Sequence, residues 1–192
     1  MDMRSIIIAG VGGQGLVLAT RIISEAAFLS GMDVKTNDVV GLSQRGGTVW
    51  GSIKMGEKVY SPNILPREAD IILGMEPLEA LRWSHNLKDG GTVILNTNRV
   101  YPTPVLLEKE EYPEEEIEAL KERFNVIEID AQVEAKASGN IRAANTILIG
   151  LLSKYLDISD EVWYEALKGF VPAKAVEENL VAFRRGKEYV GQ

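Results

Sequence analysis

Ile6-Ile7-Ile8-Ala9-Gly10-Val11-Gly12-Gly13-Gln14-Gly15 constrains the fold of this chain more than any other stretch. Three successive isoleucines running into glycine predict a strand buried on both faces. The run from Gln14 to about Ser30 is long and apolar enough for a helix, so strand, glycine turn and helix open a βαβ unit. Gly10, Gly12 and Gly15 fit G-x-G-x-x-G, in which the glycines make the tight turn and let backbone approach a phosphate. The helix start then presents free N–H groups and the positive end of its dipole to an anion. The same glycines serve equally well if they only turn the chain and let helix pack on strand. Gly13 frees the backbone further, and Gln14 adds a neutral side chain that can both donate and accept.

Composition narrows the class. The chain has 192 residues, 45% of them hydrophobic and 26% charged, which suits an ordinary core in one domain spanning 1–192. The net charge of −7 opposes nucleic-acid binding, which calls for a basic stripe. No apolar run reaches the roughly 18 residues of a membrane span, and the N-terminus passes straight into a strand with no leader, so a cytoplasmic protein is expected. Cysteine is absent, which excludes disulfides and cysteine-held iron–sulfur clusters on this chain. With His85 as the single histidine, a conventional zinc site is not expected either.

The first helix is apolar nearly all round, with only Thr20, Arg21, Ser24 and Glu25 as a polar stripe. Such a helix needs cover on more than one side. Met32–Val40 reads as a second strand. Thr48–Lys54 and Lys58–Ser61 alternate like a hairpin around Met55-Gly56-Glu57, which makes the sheet mixed. Ala69–Met75, Thr92–Asn96 and Val126–Ile129 read as further buried strands, with a short one expected near Val105–Leu107. Helices are expected from Pro77 to about Leu87, from Pro113, over Ile141–Tyr155, from a Ser159 cap to Gly169, and from Pro172 to Arg185 before a stop at Gly186. The acidic turn Glu114-Glu115-Glu116 reads as a solvated face in preference to a docking patch. The whole predicts a three-layer αβα, Rossmann-like α/β domain with a mixed, mostly parallel sheet and a helical C-terminal part.

Two further constellations bear chemistry. Ser43-Gln44-Arg45-Gly46-Gly47 combines a guanidinium that can fork onto an anion with glycines whose N–H groups can form a nest; a simple glycine turn with a solvated arginine is the alternative. Gly139-Asn140-Ile141-Arg142-Ala143-Ala144-Asn145 places a candidate cap at Asn140, with Arg142 and Asn145 about one turn apart. Glu76 either points into the cleft at the carboxyl ends of the strands or stabilises the helix opened by Pro77. His85 reads as an ordinary surface or packed residue. No nucleophile elbow, lysine–serine phosphate loop or diagnostic carboxylate pair is present.

Taken together, these motifs resemble the gamma-type domain of 2-oxoacid:ferredoxin (acceptor) oxidoreductases over nearly the whole chain. The matching pieces are Gly10–Gly15, Lys35-Thr36-Asn37-Asp38 leading to Ser43–Gly47, Ser61-Pro62 with Pro66, Ala69-Asp70 through Leu81, and Gly139-Asn140 with Asn145. The uninterrupted Ser43-Gln44-Arg45-Gly46-Gly47 is most similar to the beta subunit of the indolepyruvate-specific members. The resemblance implies a subunit that is inactive alone. Thiamine diphosphate and iron–sulfur clusters would sit on a partner alpha subunit that passes electrons to ferredoxin, with coenzyme A as acyl acceptor. On this reading Gly10, Gly12, Gly13, Gln14, Gly15, Ser43, Gln44, Arg45, Gly46, Gly47 and Asn140 bind coenzyme A; the nearly all-apolar first helix separately predicts that the isolated chain forms a homodimer. Two rivals remain at this point: a stand-alone NAD(P)-dependent oxidoreductase using Asp38 on the ribose, or a non-catalytic interaction subunit.

Overall fold

A computed structural model describes residues 2–39 and 47–190. Its strands are β1 (Arg4–Val11), β2 (Asp33–Val39), β3 (Thr48–Gly56), β4 (Ala69–Gly74), β5 (Leu87–Asn96) and β6 (Asn125–Ile129). Its α-helices are α1 (Leu16–Leu29), α2 (Pro77–Trp83), α3 (Thr103–Leu106), α4 (Glu114–Glu118), α5 (Leu120–Arg123), α6 (Ala131–Ala137), α7 (Ala144–Ser153), α8 (Asp160–Phe170) and α9 (Val176–Glu188).

The strands form one sheet in the order β2-β3-β1-β4-β5-β6. β1, β4, β5 and β6 pair in parallel, while β3 runs antiparallel to both β1 and β2. The sheet is therefore mixed, as expected, but for a different reason. β3 pairs with β2 through the register Val39↔Trp50 to Asp33↔Gly56, and residues 58–61 form no strand. That segment runs over the sheet instead: Ser52 donates to the Pro62 carbonyl at 2.8 Å, and the Val59 N–H donates to Asp33 at 2.9 Å.

Strand periodicity divides the core in two. Ile6 and Ile8 of β1 face a cluster with α1, α6, α7, α8 and α9, whereas Ile7 faces a smaller cluster with α2, α4 and α5. Helices thus cover both faces of the sheet, giving the three layers read from the sequence. The expected strand at Val105–Leu107 is instead the single helical turn α3, held by Leu106 N–H to Pro102 O and Leu107 N–H to Thr103 O. Pro102 and Pro104 set φ values that suit such a turn. Ser159 stands at the N-cap of α8 as expected, but its side chain makes no capping hydrogen bond.

The Gly186 stop is also corrected: α9 continues to Glu188, and Gly186 is buried inside it. The reason is the crossing of α7 and α9. A Cβ on Gly186 would lie 2.0 Å from the Ile147 carbonyl oxygen, and one on Gly150 would lie 2.1 Å from that of Phe183. Each glycine lets the other helix's backbone into contact, and no side-chain rotation relieves a clash with a carbonyl. Alanine gains up to ~1 kcal/mol over glycine in helix propensity, but overpacking a close crossing costs about 1–3 kcal/mol. Gly186→Ala should therefore lower the unfolding free energy in urea titration; an equal or higher midpoint would show that the crossing opens freely.

Candidate functional site

The carboxyl ends of β1, β4, β5 and β6 lie along one edge, where β1 leads into α1, β4 into α2 and β6 into α6, the usual ligand edge of an open α/β sheet. Gln14 organises that edge. Its Oε1 accepts the Val11 N–H at 2.8 Å, and its Nε2 donates to the Met75 carbonyl at 3.1 Å. Met75 itself extends the parallel ladder by donating its N–H to Ala9 O at 2.8 Å. Asn96, almost completely buried at the end of β5, donates to the same Met75 carbonyl at 3.0 Å and accepts the Ala131 N–H at 3.1 Å. Asn145 at the start of α7 donates to the Gln14 carbonyl at 2.6 Å. Three strands and three helices are thereby tied through side-chain amides.

The glycines fit this clamp. A Cβ at Gly10 would stand 2.7 Å from Gln14 Oε1, and one at Gly15 would stand 2.7 Å from Asn145 Nδ2. Gly13 and Gly15 have φ of 97° and 76°, in the left-handed region that glycine occupies without strain. Gly12 serves differently: its N–H donates to the Gly47 carbonyl at 2.8 Å. The two glycine-rich motifs are therefore in direct contact.

Gly15 is the N-cap of α1, which has no capping side chain and no acidic residue in its first turn. Among the described residues, the N–H groups of Gly13, Gly15, Leu16, Val17 and Leu18 meet no acceptor. Ser43, Gln44, Arg45 and Gly46 lie outside the described residues. Asn140 does not line the cleft; it caps the 3₁₀ turn Ile141–Ala143 by accepting the Arg142 N–H at 2.9 Å and donates to Glu178 at 2.6 Å.

Of the two readings of Glu76, the helix reading holds. The residue is buried, its carboxylate accepts the Glu79 N–H at 3.0 Å and the Tyr112 hydroxyl at 2.6 Å, and it caps α2. Burial and the bond to Glu76 push the Tyr112 phenol well above its usual range, so it stays protonated as a donor. Glu79 is buried beside Arg82 and Thr48; burial pushes its carboxyl up against the opposing pull of Arg82. His85 is exposed, with Nδ1 bonded to the Arg82 carbonyl at 2.9 Å and its ring stacked over Trp83. Asp38 falls in β2, which β3 separates from β1. It therefore sits two strand spacings, ~9–10 Å, from the strand that ends in the glycine turn. A dinucleotide fold uses the neighbouring strand for its ribose acid, so this topology disfavours the NAD(P) reading.

Residues 5–189 match the family model described as pyruvate ferredoxin/flavodoxin oxidoreductase. The chain belongs to this family. It is 38% identical over 192 residues to indolepyruvate oxidoreductase subunit IorB of Pyrococcus horikoshii, covering 97% of this chain and 95% of that one. The fold matches the gamma subunit of a keto/oxoacid ferredoxin oxidoreductase from Geobacter sulfurreducens, with a TM-score of 0.74, 24% identity and coverage of 98% and 96%. It also matches part of a 2-oxoglutarate:ferredoxin oxidoreductase from Magnetococcus marinus solved with 2-oxoglutarate, coenzyme A and succinyl-CoA bound. There the TM-score is 0.75 and identity 21%, over 97% of this chain and 31% of that one. This family member has a six-stranded mixed sheet whose carboxyl edge, among the described residues, is built from side-chain amides and N–H groups without acceptors. Among the described residues no cluster of His, Asp or Glu could hold a metal ion, and no helix is long and apolar enough to cross a membrane.

Sequence reasoning singled out Gln14 as a donor and acceptor, and both functions are used at once. It missed Asn96 and Gln132. Asn96 carried a signal, since it ends a predicted buried strand at the same edge as Gly12 and Met75; Gln132 carried none. The clamp gives a direct test. Gln14→Leu leaves the Val11 N–H without its acceptor and should destabilise the fold by about 1–3 kcal/mol. Gln14→Glu keeps that acceptor but sets a carboxylate against the Met75 carbonyl, so its loss of stability should shrink on acidification. Equal stability of both variants and wild type across pH would remove Gln14 from this role.

Proposed function

We propose that this chain is the non-thiamine-binding subunit of a 2-oxoacid:ferredoxin oxidoreductase, with an aryl pyruvate such as indolepyruvate as substrate. Its part is to help form the coenzyme A site, and the whole of 1–192 acts as one gamma-type domain. The observation that carries this reading is the uncapped start of α1, where free N–H groups face the ligand edge with no acid in the first turn. Such an end favours a phosphate through both its donors and its dipole. Gly13 and Gly15 shape that cradle, Gly10 makes room for the Gln14 clamp, and Gly12 joins it to Gly47. Arg45, two residues before Gly47 in sequence, supplies the charge-assisted fork, with Ser43, Gln44 and Gly46 completing that loop.

Thiamine diphosphate and iron–sulfur clusters belong on the partner alpha subunit on this account, which has them supply the decarboxylation and electron transfer to ferredoxin. The absence of cysteine is consistent with such a division. This chain's own contribution is binding and orientation of the acyl acceptor. The relatives' names support the division into subunits and the choice of indolepyruvate. Provided with indolepyruvate, coenzyme A and an electron acceptor, the chain alone turns nothing over.

A hydrogen bond to a charged group contributes about 1.5–3 kcal/mol, and 1.4 kcal/mol is tenfold. Arg45→Ala should accordingly weaken coenzyme A binding by the complex roughly 10- to 150-fold while 2-oxoacid decarboxylation persists. Unchanged affinity, or equal loss of decarboxylation, would make the loop an assembly element. We also assign the outer face of α1, where Leu18, Phe28 and Leu29 are 39%, 66% and 38% exposed, to contact with another subunit. Alone at micromolar concentration the chain should then scatter light as a dimer; a strictly monomeric profile would contradict this.

A further inference from the structure

Beside the glycine turn lies a cavity of about 140 Å³, walled by Gln14, Met75, Asn96, Gln132, Arg142 and Asn145 together with Ala144. Four side-chain amides and one guanidinium line it, and no carboxylate does. Gln14 and Asn96 have both ends of their amides engaged within the fold. Asn145 gives its Nδ2 to the Gln14 carbonyl, which leaves Oδ1 without a donor among the described residues. Gln132 Oε1 is buried with no hydrogen-bond partner among the described residues. Arg142 is exposed, and its guanidinium makes no ion pair or hydrogen bond among the described residues; only its backbone N–H is held, by Asn140.

The cavity is therefore unbalanced in a particular way. Its wall holds acceptors short of a donor, and it carries a donor group without an acceptor. A buried acceptor left unpaired is costly, and such a group calls for an explanation. An oxyanion does not supply one, because two carbonyl oxygens would face it. A group with N–H on one side and oxygen on the other does, and a secondary amide is such a group. The terminal torsion of glutamine is broad, so Oε1 can turn to meet a donor entering the cavity.

We propose that this cavity holds an amide of the pantetheine arm of coenzyme A, with the amide N–H donating to Gln132 Oε1 and its carbonyl accepting from Arg142. The assignment rests on the coenzyme A reading above and adds to it. The arm continues from the pyrophosphate and carries amides along its length, and the cavity adjoins the turn assigned to the phosphates. No bond is made or broken here; the two residues position the arm and with it the thiol.

The test uses the complex with its thiamine-carrying partner and two acceptors, coenzyme A and pantetheine, which has the arm but no pyrophosphate. Gln132→Met and Arg142→Ala remove side chains that hold no other described part of the fold, and melting temperatures check that. Each should raise the KM for both acceptors about tenfold, with Arg142→Lys recovering part of the loss. An unchanged KM for both acceptors overturns the inference while the coenzyme A dependence of the wild type upholds the broader reading. A rise for coenzyme A alone overturns the amide assignment and makes Arg142 a phosphate contact. Turnover of the wild-type complex that is independent of coenzyme A overturns both.

Discussion

Gln14 holds the turn after β1 to the end of β4, and the carboxyl edge of the sheet is organised around that bridge. A glutamine suits the place because one amide must accept from a strand N–H and donate to a carbonyl 61 residues away in sequence. Neither aspartate nor lysine can do both. The bridge also explains which glycines the turn requires. Gly10 must lack a Cβ because Gln14 Oε1 occupies that space, and Gly15 must lack one because Asn145 does. The motif is thus first a packing solution. The clamp engages side-chain amides and, among the described residues, leaves the first N–H groups of α1 without acceptors.

The antiparallel strand β3 sets this fold apart from a plain dinucleotide-binding sheet. Inserted between β1 and β2, it moves the end of β2 two strands away from the turn and brings Gly47 alongside Gly12. One change of topology therefore separates Asp38 from the glycine turn that a dinucleotide fold would set beside it. On the far side of the sheet the same edge is braced by Glu76, which caps α2 and receives the Tyr112 hydroxyl. The buried carboxylate accepts from the Glu79 N–H, the Val100 N–H and the Tyr112 hydroxyl, so both of its oxygens are engaged within the fold.

Much of this was legible from the sequence, and the failures have physical causes. Ile6, Ile7 and Ile8 announced a strand buried on both faces, and the two clusters they feed are in place. Pro77 marked a helix start that exists. The supposed hairpin at residues 58–61 failed because alternation in Thr48–Lys54 fixes a strand without naming its partner. That partner is β2, across the 40–47 connection. Gly186 was misread as a stop because glycine in sequence has the same appearance at a helix end and at a helix crossing; only the carbonyl of Ile147 tells them apart. Asn96 and Gln132 were missed because a polar residue at the end of a strand or start of a helix usually serves a turn. Both share a cavity wall with Gln14, which lies 82 residues from Asn96 and 118 from Gln132 in sequence, and local spacing carries no information on such distances.

On the function proposed above, the carboxyl edge of the sheet accepts the phosphates of an acyl carrier and not those of a nicotinamide dinucleotide. Thermal unfolding of the purified chain in the presence of coenzyme A or NADH tests it most directly. A ligand at 100 times its Kd stabilises the folded state by about 2.7 kcal/mol, which a melting curve resolves readily. Stabilisation by coenzyme A with none from NADH is the predicted result, and stabilisation by NADH with none from coenzyme A would contradict the account.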